Sequence, residues 1–350
     1  MKISIVLATY NGAAHIREQL DSIAAQTVAP DEIIVGDDGS TDDTLAIIRE
    51  FAAGTEVPVV ITEKSERLGF ADNFLWTAER SRYELVAFCD QDDRWHPHKL
   101  EEAKRRIVQD DSLLALHTLT ITDARLTPTG QIWRQGIEGD RMFKPLELDP
   151  HVTGWGNSML FRRELLFVHP RQARPRHPHA VGHPPAAGRL LSQDTWIYVL
   201  AAALGRVSHI AEPLLLYRQH ASNTAGLTIT KYWRLQKFRQ MGVVPIENLR
   251  EQAEFHKAMV GVFGRVAAGD GAFTAAAAAA AVEFGKRHAL SSARASVFDA
   301  PTVNARFRAF RVVLRLSKPN RDLLRSRVKA LVMGVGGLIR VLPFLVQRST

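Results

Sequence analysis

Hydrophobic and polar positions alternate along the first half of the chain in blocks that predict strands and helices in turn. Short apolar runs, typical of strands buried on both faces, occur as ISIVLA, EIIVG, VPVVITE and ELVAFC. The segments between them place apolar residues at helical spacing, as Ile16, Leu20 and Ile23 do. This alternation predicts an α/β fold with a mostly parallel central sheet flanked by helices.

The second half has a less regular pattern that becomes helical towards the end. LLALHTLTITDA and GNSMLFRREL indicate further strands, SQDTWIYVLAAALG a helix and VSHIAEPLLLYRQH a strand. From about residue 231 the pattern is helical, and seven alanines at 275–281 favour a helix because alanine has the highest helix propensity. Residues 169–188 contain five prolines and four histidines, which we interpret as a flexible loop rather than a metal site.

Charge is distributed unevenly along the chain, and this distribution changes which binding partners the sequence predicts. The chain has 350 residues and a net charge of +8, yet residues 301–350 hold 11 of the 45 basic and one of the 37 acidic residues. The remaining 34 basic and 36 acidic residues give residues 1–300 a net charge of −2, which argues against a nucleic-acid-binding body. The single cysteine, Cys89, excludes a disulfide scaffold.

The basic C-terminal segment runs into the apolar stretch LVMGVGGLIRVLPFLV, which Arg340 and Pro343 interrupt. That stretch is too short and broken to predict a membrane span, and the N-terminus lacks a signal-peptide pattern. We favour an interfacial anchor on an anionic membrane surface, with a cytoplasmic protein bound peripherally to the inner face of the plasma membrane. A helical hairpin that packs on the rest of the protein is the alternative.

Polar turns follow the predicted strands, where ligands of parallel α/β sheets bind. The turns are TYNG, DDGS and DQDD. In the last of these, Asp90, Asp92 and Asp93 place three mutually repelling carboxylates within four residues. A cation would offset that repulsion, and hard oxygen ligands suit Mg²⁺ or Mn²⁺ bridging to substrate phosphates. A solvated acidic turn that caps the next helix is the alternative.

The other turns carry weaker signals. Asp37 and Asp38 could accept hydrogen bonds from a nucleobase or a ribose, although this motif alone favours a polar turn with helix capping from Ser40 or Thr41. Thr9, Tyr10 and Asn11 offer a ring and an amide that could frame a base.

Three residues later in the chain complete the candidate chemistry. Asp194 heads a predicted helix, where it could serve as a general base or simply stabilise the helix dipole. Arg218 could neutralise a phosphate, and His220 could bind a metal or a phosphate. An ordinary surface or core histidine is the alternative for His220.

Taken together, seven motifs resemble those of inverting family 2 glycosyltransferases of the GT-A fold, in that family's order and over about residues 1–225. They are SIVLATYNG (4–12), IIVGDDGSTDDT (33–44), LGFADNF (68–74), FCDQDDRW (88–95), GWGNSMLFRREL (154–165), QDTW (193–196) and EPLLLYRQHASN (212–223). The resemblance implies a GT-A catalytic domain over 1–225 and a helical C-terminal region over 226–350. DQDDRW with YRQH most resembles the rhamnosyltransferase-like branch that builds bacterial surface polysaccharides.

The resemblance also implies roles for individual residues. It implies a sugar moved from a nucleotide-diphosphate donor to a glycan or lipid-linked acceptor, with Mg²⁺ or Mn²⁺ as cofactor and Asp194 as the catalytic base. Asp92 is the first choice of metal ligand, with Asp93 and His220 as further ones. The donor-binding residues that it implies are Thr9, Tyr10, Asn11, Asp37, Asp38, Asp90, Trp155, Gly156, Asn157 and Arg218.

The chain departs from the family pattern at two positions. Arg67 stands where the branch often has asparagine, and Asp72 where a basic or small residue is common. An acid facing a diphosphate would be unfavourable, so we expect Asp72 to point away or to alter the choice of donor.

Two rival functions stay open at this point. A sugar-phosphate nucleotidyltransferase would usually carry a Gly- and Lys-rich phosphate loop, whereas TYNGAAH has one glycine and no lysine. A non-catalytic scaffold at the membrane could keep the same fold, although the retained acids argue against it. A dehydrogenase is disfavoured because no GxGxxG motif follows the first strand.

Overall fold

A computed structural model gives the fold of the chain. It describes residues 1–63, 66–134, 136–149, 154–176, 190–220, 246–299 and 301–316. Most of the His/Pro-rich loop and the C-terminal segment from 317 onward, including the interrupted apolar stretch, lie outside the described residues.

The described strands form one ten-stranded sheet. They are β1 Ile3–Thr9, β2 Glu32–Asp37, β3 Val59–Glu63, β4 Leu85–Cys89, β5 Arg94–Trp95, β6 Ser112–Thr122, β7 Pro128–Trp133, β8 Arg141–Phe143, β9 Met159–Arg162 and β10 Arg206–Arg218. Eight of them follow the order β3-β2-β1-β4-β9-β6-β10-β5, while β7 pairs with β6 and β8 pairs with β10.

The direction of the strands confirms the predicted α/β architecture. β3, β2, β1 and β4 are parallel neighbours, and β6 and β10 are parallel to each other. β9 is antiparallel to both β4 and β6, so six of the eight strands run in one direction and β9 and β5 run against them. The carboxyl ends of these six strands therefore meet at one edge of the sheet.

The described helices are α1 Ile16–Ala24, α2 Thr44–Gly54, α3 Phe70–Ala78, α4 Lys99–Asp110, α5 Gln193–Leu204, α6 Ile246–Ala267, α7 Thr274–Asp299 and α8 Val303–Leu316. Three short 3₁₀ turns lie at Gly156–Ser158, Arg163–Phe167 and Arg171–Ala173. The last three helices confirm the predicted helical C-terminal region, and α7 contains the alanine run.

The core follows from the apolar spacing seen in the sequence. Every residue of β4 is buried, as expected for a strand covered on both faces. α1 buries Ile16, Leu20 and Ile23, and α4 buries Leu100 and Ile107, which lie on single helix faces. α5 is buried along almost its whole length, with Trp196 and Tyr198 among the largest buried side chains.

The chain divides into two compact units. The first comprises Met1–Arg174, Leu191–Ser222 and Asp270–Ala277, and the second the rest of the chain. In the second unit, Phe310 and Val313 of α8 pack on Ala293 and Val297 of α7. None of the described helices combines the length and the apolar character that crossing a membrane requires.

Candidate active site

The polar turns meet because their strands are neighbours in the sheet. Thr9, the last residue of β1, lies opposite Asp37 of β2, and Leu7 lies opposite Cys89 of β4. On the other side of β9, Arg218 of β10 lies opposite Thr122 of β6. The turns TYNG, DDGS and DQDD therefore share one edge, as the sequence predicted.

The side chain of Gln91, in the acidic turn, binds both the backbone amide and the backbone carbonyl of Tyr10 in the first turn. Its Oε1 accepts a hydrogen bond from the Tyr10 amide at 2.9 Å, and its Nε2 donates to the Tyr10 carbonyl at 3.1 Å. A Cβ at Gly12 would lie 2.3 Å from the same Oε1, so a larger residue at this position would displace the Gln91 side chain from Tyr10. This link fixes the first turn against the acids that follow β4.

Asp37 and Thr9 lie inside the second turn. The Asp37 carboxylate accepts hydrogen bonds from Thr9 Oγ1 at 2.9 Å, from the Gly39 and Ser40 amides, and from Ser40 Oγ. Both residues are buried, so they shape the turn and are not placed for direct contact with a ligand. Asn11 also braces this turn, since its Oδ1 accepts the Thr41 amide at 2.8 Å.

Asp38 connects β2 to the start of α3. Its two oxygens accept the amides of Leu68 and Gly69 at 2.7 and 2.8 Å, and Arg67 Nε lies 3.6 Å from Oδ2. The Arg67 guanidinium also lies 3.5 Å from the centre of the Tyr10 ring, which is 38% exposed. Tyr10, Asp38 and Arg67 thus form one corner of the site, with a cation on an aromatic face.

The acids after β4 have different surroundings. Asp90 and Asp92 are partly exposed, whereas Asp93 is fully buried. Burial, followed by the charges of Asp92 and Asp194, raises the pKa of Asp90 to about 7. Asp90 and Asp194 are therefore close enough to repel each other, although they are about 100 residues apart in the sequence.

Asp93 was expected as a metal ligand, but its two oxygens already have partners. Oδ2 accepts Asn157 Nδ2 at 2.7 Å, and Oδ1 accepts the Arg218 amide at 3.0 Å. The residue ties the acidic turn to β10 and to the segment after residue 154. We therefore leave Asp93 out of the set that could face a cation.

Lys99, the first residue of α4, places its amine close to this turn. It is buried, its Nζ donates to the Asn157 carbonyl, and Nζ lies 3.9 Å from the centre of the Trp95 ring. Burial lowers the pKa of Lys99 to about 7, while the charges of Cys89, Asp93 and Asp90 act in the opposite direction.

Asp92 and His220 are the residues that best fit a divalent cation. His220 Nε2 lies 2.9 Å from Asp92 Oδ2, and both side chains keep some exposure. The His15 ring lies 4.9 Å from the His220 ring, and its pKa is lowered by burial and then by Arg218 and His220. No three acidic, histidine or cysteine side chains of the described residues form a ready metal cage. A partial site is nevertheless usual for Mg²⁺, which takes one or two carboxylates and fills its shell with phosphate oxygens and water.

Arg218 was expected to face a phosphate, but the structure buries it. Its guanidinium donates to the carbonyls of Asp92 at 2.7 Å and Ala124 at 2.8 Å, and to the Glu18 carboxylate. These bonds hold the acidic turn and α1 against the end of β10. We therefore assign Arg218 to the support of the site rather than to its ligand face.

Asp194 lies in the first turn of α5, as the sequence predicted. Its Oδ1 accepts the Thr195 amide at 2.7 Å and the Ser192 hydroxyl, and Ser192 also lies 3.0 Å from Thr195 Oγ1. These bonds converge on one oxygen of a half-buried carboxylate, so the side chain is held in a single orientation.

The segment Trp155–Asn157 borders Asp194 directly. A Cβ at Gly156 would lie 3.5 Å from Asp194 Cβ and 3.4 Å from Gln193 Nε2. Trp155 is half-buried and stacks on Trp133, with ring centres 5.1 Å apart. Asn157 and Gln193 are both more than nine-tenths buried, and Asn157 Oδ1 and Gln193 Oε1 have no hydrogen-bond partner among the described residues.

Sequence reasoning did not identify several residues of this site. They are His15, Arg67, Gln91, Lys99 and Gln193. Gln91 and Gln193 stand inside the quoted motifs, yet their roles depend on partners that lie far away in the chain. The only signal for Arg67 was that it departs from the family pattern.

Comparison with known proteins identifies the family that this arrangement resembles. Residues 4–167 match the family model of Glycosyl transferase family 2. An uncharacterized glycosyltransferase from Nostoc sp. is 28% identical over 226 residues, which cover 64% of this chain and 66% of that protein. The dTDP-rhamnosyl transferase RfbG from Shigella flexneri is 27% identical over 237 residues, 65% of this chain and 78% of that protein.

A solved structure supports the fold. The crystal structure of S. aureus TarS 1–349 in complex with UDP-GlcNAc matches with a TM-score of 0.53 at 19% identity, covering 100% of this chain and 91% of that one. The likeness shows the GT-A fold that the sequence motifs implied.

Proposed function

We propose, with the match of residues 4–167 to glycosyl transferase family 2 as premise, that this protein is an inverting glycosyltransferase. It transfers a sugar from a nucleoside-diphosphate donor to a hydroxyl of a growing cell-surface polysaccharide or a lipid-linked glycan. The observation that carries the proposal is the position of Asp194. Its carboxylate is fixed at the start of α5, beside Gly156 and close enough to Asp90 for their charges to interact.

The donor occupies the edge formed by the first three turns. Tyr10 offers an exposed ring for the base, with Asp38 and Arg67 beside it. Asp92 and His220, with Asp90 nearby, would hold Mg²⁺ or Mn²⁺. The bound cation supplies electrostatic stabilisation of negative charge on the leaving diphosphate.

Asp194 acts as the general base on the acceptor. Because Ser192 and Thr195 engage Oδ1, the carboxylate presents its other oxygen to the acceptor hydroxyl. That oxygen takes the hydroxyl proton while the acceptor oxygen bonds to the anomeric carbon. The bond from that carbon to the phosphate oxygen breaks with its electron pair on the diphosphate. A single displacement of this kind inverts the anomeric configuration, as it does in inverting glycosidases.

The donor that we would test first is a dTDP-sugar. The similarity to a dTDP-rhamnosyl transferase over 65% of this chain favours rhamnose, whereas the TarS structure was solved with UDP-GlcNAc. Rhamnose is thus the first donor sugar of this proposal and UDP-linked amino sugars are the second.

The proposal is tested by calorimetry and a transfer assay on the full chain. We expect one of dTDP, UDP and GDP to bind in a Mn²⁺-dependent manner, and Asp92→Ala to weaken that binding. Asp194→Asn keeps nucleotide binding and loses transfer by about 10²- to 10⁴-fold, the usual contribution of a general base. Retained turnover in Asp194→Asn would remove the base assignment. If a folded wild-type protein binds none of the three nucleotides, the non-catalytic scaffold becomes the better explanation.

We also propose that the second unit brings the enzyme to the cytoplasmic face of the plasma membrane. Arg308, Arg311 and Arg315 are exposed on α8 at spacings of three and four residues, so they share one helix face. Phe310 and Val313 are buried on the other side of the helix. Such a face suits anionic lipid head groups, and a lipid-linked acceptor would lie at the same surface.

A further inference from the structure

Asp72 departs from the family pattern, and the structure shows what it does instead. It lies in the first turn of α3, and Arg174 Nη1 donates to its Oδ1 at 2.9 Å. Arg171 Nη1 lies 3.5 Å from the same oxygen and its Nε donates to Glu79 at 3.1 Å. Asp72 therefore points towards the turn at 171–174.

Arg174 is the unusual member of this group because its side chain is only 1% exposed. Besides the bond to Asp72, its Nε donates to the Leu191 carbonyl at 2.6 Å and its Nη1 to the Arg171 carbonyl at 2.7 Å. A buried guanidinium is costly unless its donors are paired, so these contacts fix the positions of all three partners.

Leu191 is the last residue before the segment that fixes Asp194. It is fully buried, and Ser192 follows it as the residue that caps α5. The Ser192 carbonyl accepts the Trp196 amide at 2.9 Å, and the Ser192 hydroxyl donates to Asp194. A shift of Leu191 would thus move the hydroxyl that orients the Asp194 carboxylate.

The same contacts reach the donor side of the site. α3 begins immediately after Leu68 and Gly69, whose amides Asp38 binds. A continuous set of contacts therefore runs from Asp38 through α3 and Asp72 to Arg174, and then to the start of α5.

We infer that Arg174 is a positioning residue for Asp194, holding the start of α5 against α3 through its bonds to Asp72 and Leu191. The inference rests on the proposed function for the role of Asp194, whereas the anchoring of α5 can be measured without substrate. It assigns a task to Asp72 and Arg174 that the family resemblance does not supply, since the resemblance places a basic or small residue at position 72.

The chain offers a matched control for Arg174. Arg162, at the end of β9, binds one backbone carbonyl and one carboxylate, Ser112 O at 3.0 Å and Asp111 Oδ1 at 2.8 Å, whereas Arg174 binds two carbonyls and one carboxylate. It pairs with the start of β4 and so lies at the opposite edge of the sheet from the turns. Arg162→Met removes the same kinds of bond away from Asp194.

The test compares Arg174→Met with Arg162→Met in the full chain. Hydrogen exchange without substrate should be faster at the amides of Ser192–Tyr198 in Arg174→Met and unchanged there in Arg162→Met. With the donor and acceptor of the wild-type assay, Arg174→Met should lower kcat by about 100-fold, the loss that a misplacement of about 1 Å can cause. Its KM for the donor and its nucleotide binding should stay within about twofold, because the bonds of Arg174 go to Asp72, Arg171 and Leu191.

Two milder variants keep the test decisive if Arg174→Met does not fold. Arg174→Lys keeps the charge but replaces the two nitrogens that bind Leu191 and Asp72, Nε and Nη1, with a single Nζ at the end of a flexible chain, so we expect an intermediate kcat at near wild-type stability. Asp72→Asn keeps the acceptor oxygen without its charge and should resemble Arg174→Lys. If hydrogen exchange at Ser192–Tyr198 and kcat in Arg174→Met both equal those of the Arg162→Met control, the inference is overturned. If exchange is faster in Arg174→Met but the wild-type protein transfers no sugar, then Arg174 still anchors the start of α5 and the proposed function is rejected.

Discussion

Single residues at this site divide into those that could face a ligand and those that hold them in place. Asp92, His220, Tyr10 and Asp194 keep exposed atoms, whereas Asp93 is buried with both oxygens bonded. Residue type alone does not separate the two groups, because Asp92 and Asp93 are identical and adjacent. The bonds that Asp93 accepts from Asn157 and Arg218 make the difference.

Gln193 gives the sharpest prediction at the scale of a residue. Its Oε1 is buried and has no partner among the described residues, and its Nε2 would lie 3.4 Å from a Cβ at Gly156. An unpaired buried polar atom costs free energy, so Gln193→Leu should leave the melting temperature unchanged or raise it. If a substrate hydroxyl donates to this oxygen, the same variant should lower kcat/KM by about tenfold, the effect of one lost hydrogen bond.

Scanning calorimetry and steady-state kinetics on the same preparation check this prediction. Gln193→Glu is the control for shape, since it keeps the size of the side chain and the acceptor oxygen at Oε1 while it replaces the Nε2 donor with a second oxygen. A lower melting temperature with unchanged kcat/KM would show that Gln193 serves the fold and not the substrate.

At the scale of an element, α3 is placed by a glycine in the strand beneath it. A Cβ at Gly36 of β2 would lie 2.0 Å from Thr77 Oγ1 and 2.6 Å from Asn73 Oδ1, while Asn73 Nδ2 donates to the Gly36 carbonyl at 2.7 Å. The helix therefore lies close to the strand, and its start meets Asp38. The approach of α3 to β2 decides where the corner at Tyr10 and Arg67 lies.

Gly36→Ala should force α3 away from β2 and destabilise the protein by about 1–3 kcal/mol, the usual cost of overpacking a core. Asp38, at the proposed nucleotide corner, binds the amides of Leu68 and Gly69, which immediately precede α3. A shift of α3 should therefore also weaken nucleotide binding. Gly54→Ala at the end of α2 is the control, since a Cβ there would meet nothing within 4 Å. Thermal unfolding and calorimetry measure both effects, and equal stability of the two variants would contradict the close packing of α3.

At the scale of the whole molecule, the two compact units differ in charge and in the role that we propose for each. The first unit contains all the residues that we place at the donor and acceptor. The second contains α8 with its arginine face, and the sequence after it adds further basic residues, Lys318, Arg321, Arg325, Arg327 and Lys329. Transfer chemistry and attachment to a surface are thus proposed for separate parts of the chain.

Replacing Arg308, Arg311 and Arg315 with glutamine should weaken binding to phosphatidylserine vesicles by about 100-fold, at about 1 kcal/mol for each arginine near an anionic surface. Flotation or sedimentation with vesicles measures the loss, and nucleotide binding should not change. A charge-matched triple variant at Lys257, Arg265 and Lys286, which are exposed on α6 and α7, is the control. An equal loss in both variants would show that overall charge, and not the α8 face, drives binding.

The sequence did not predict β5, β7 or β8, but by itself it determined the order of the other strands and of the helices, the α/β class and the edge at which the polar turns meet. Those features follow from local periods and from the direction of parallel strands, which need no knowledge of distant contacts. It also determined that Asp194 begins a helix, because the apolar pattern of α5 starts just after it. The family motifs then assigned the candidate roles to these positions.

Only the tertiary structure decided which polar groups are free to act. Arg218 and Asp93 were predicted to face ligands, but they are buried and bonded to residues up to 200 positions away in the chain. Conversely, in the folded protein Arg67 lies over the Tyr10 ring, and Arg174 binds both Asp72 and Leu191. Whether a charged side chain meets solvent or a partner depends on burial and on non-local pairing, and neither is written in the local pattern of the chain.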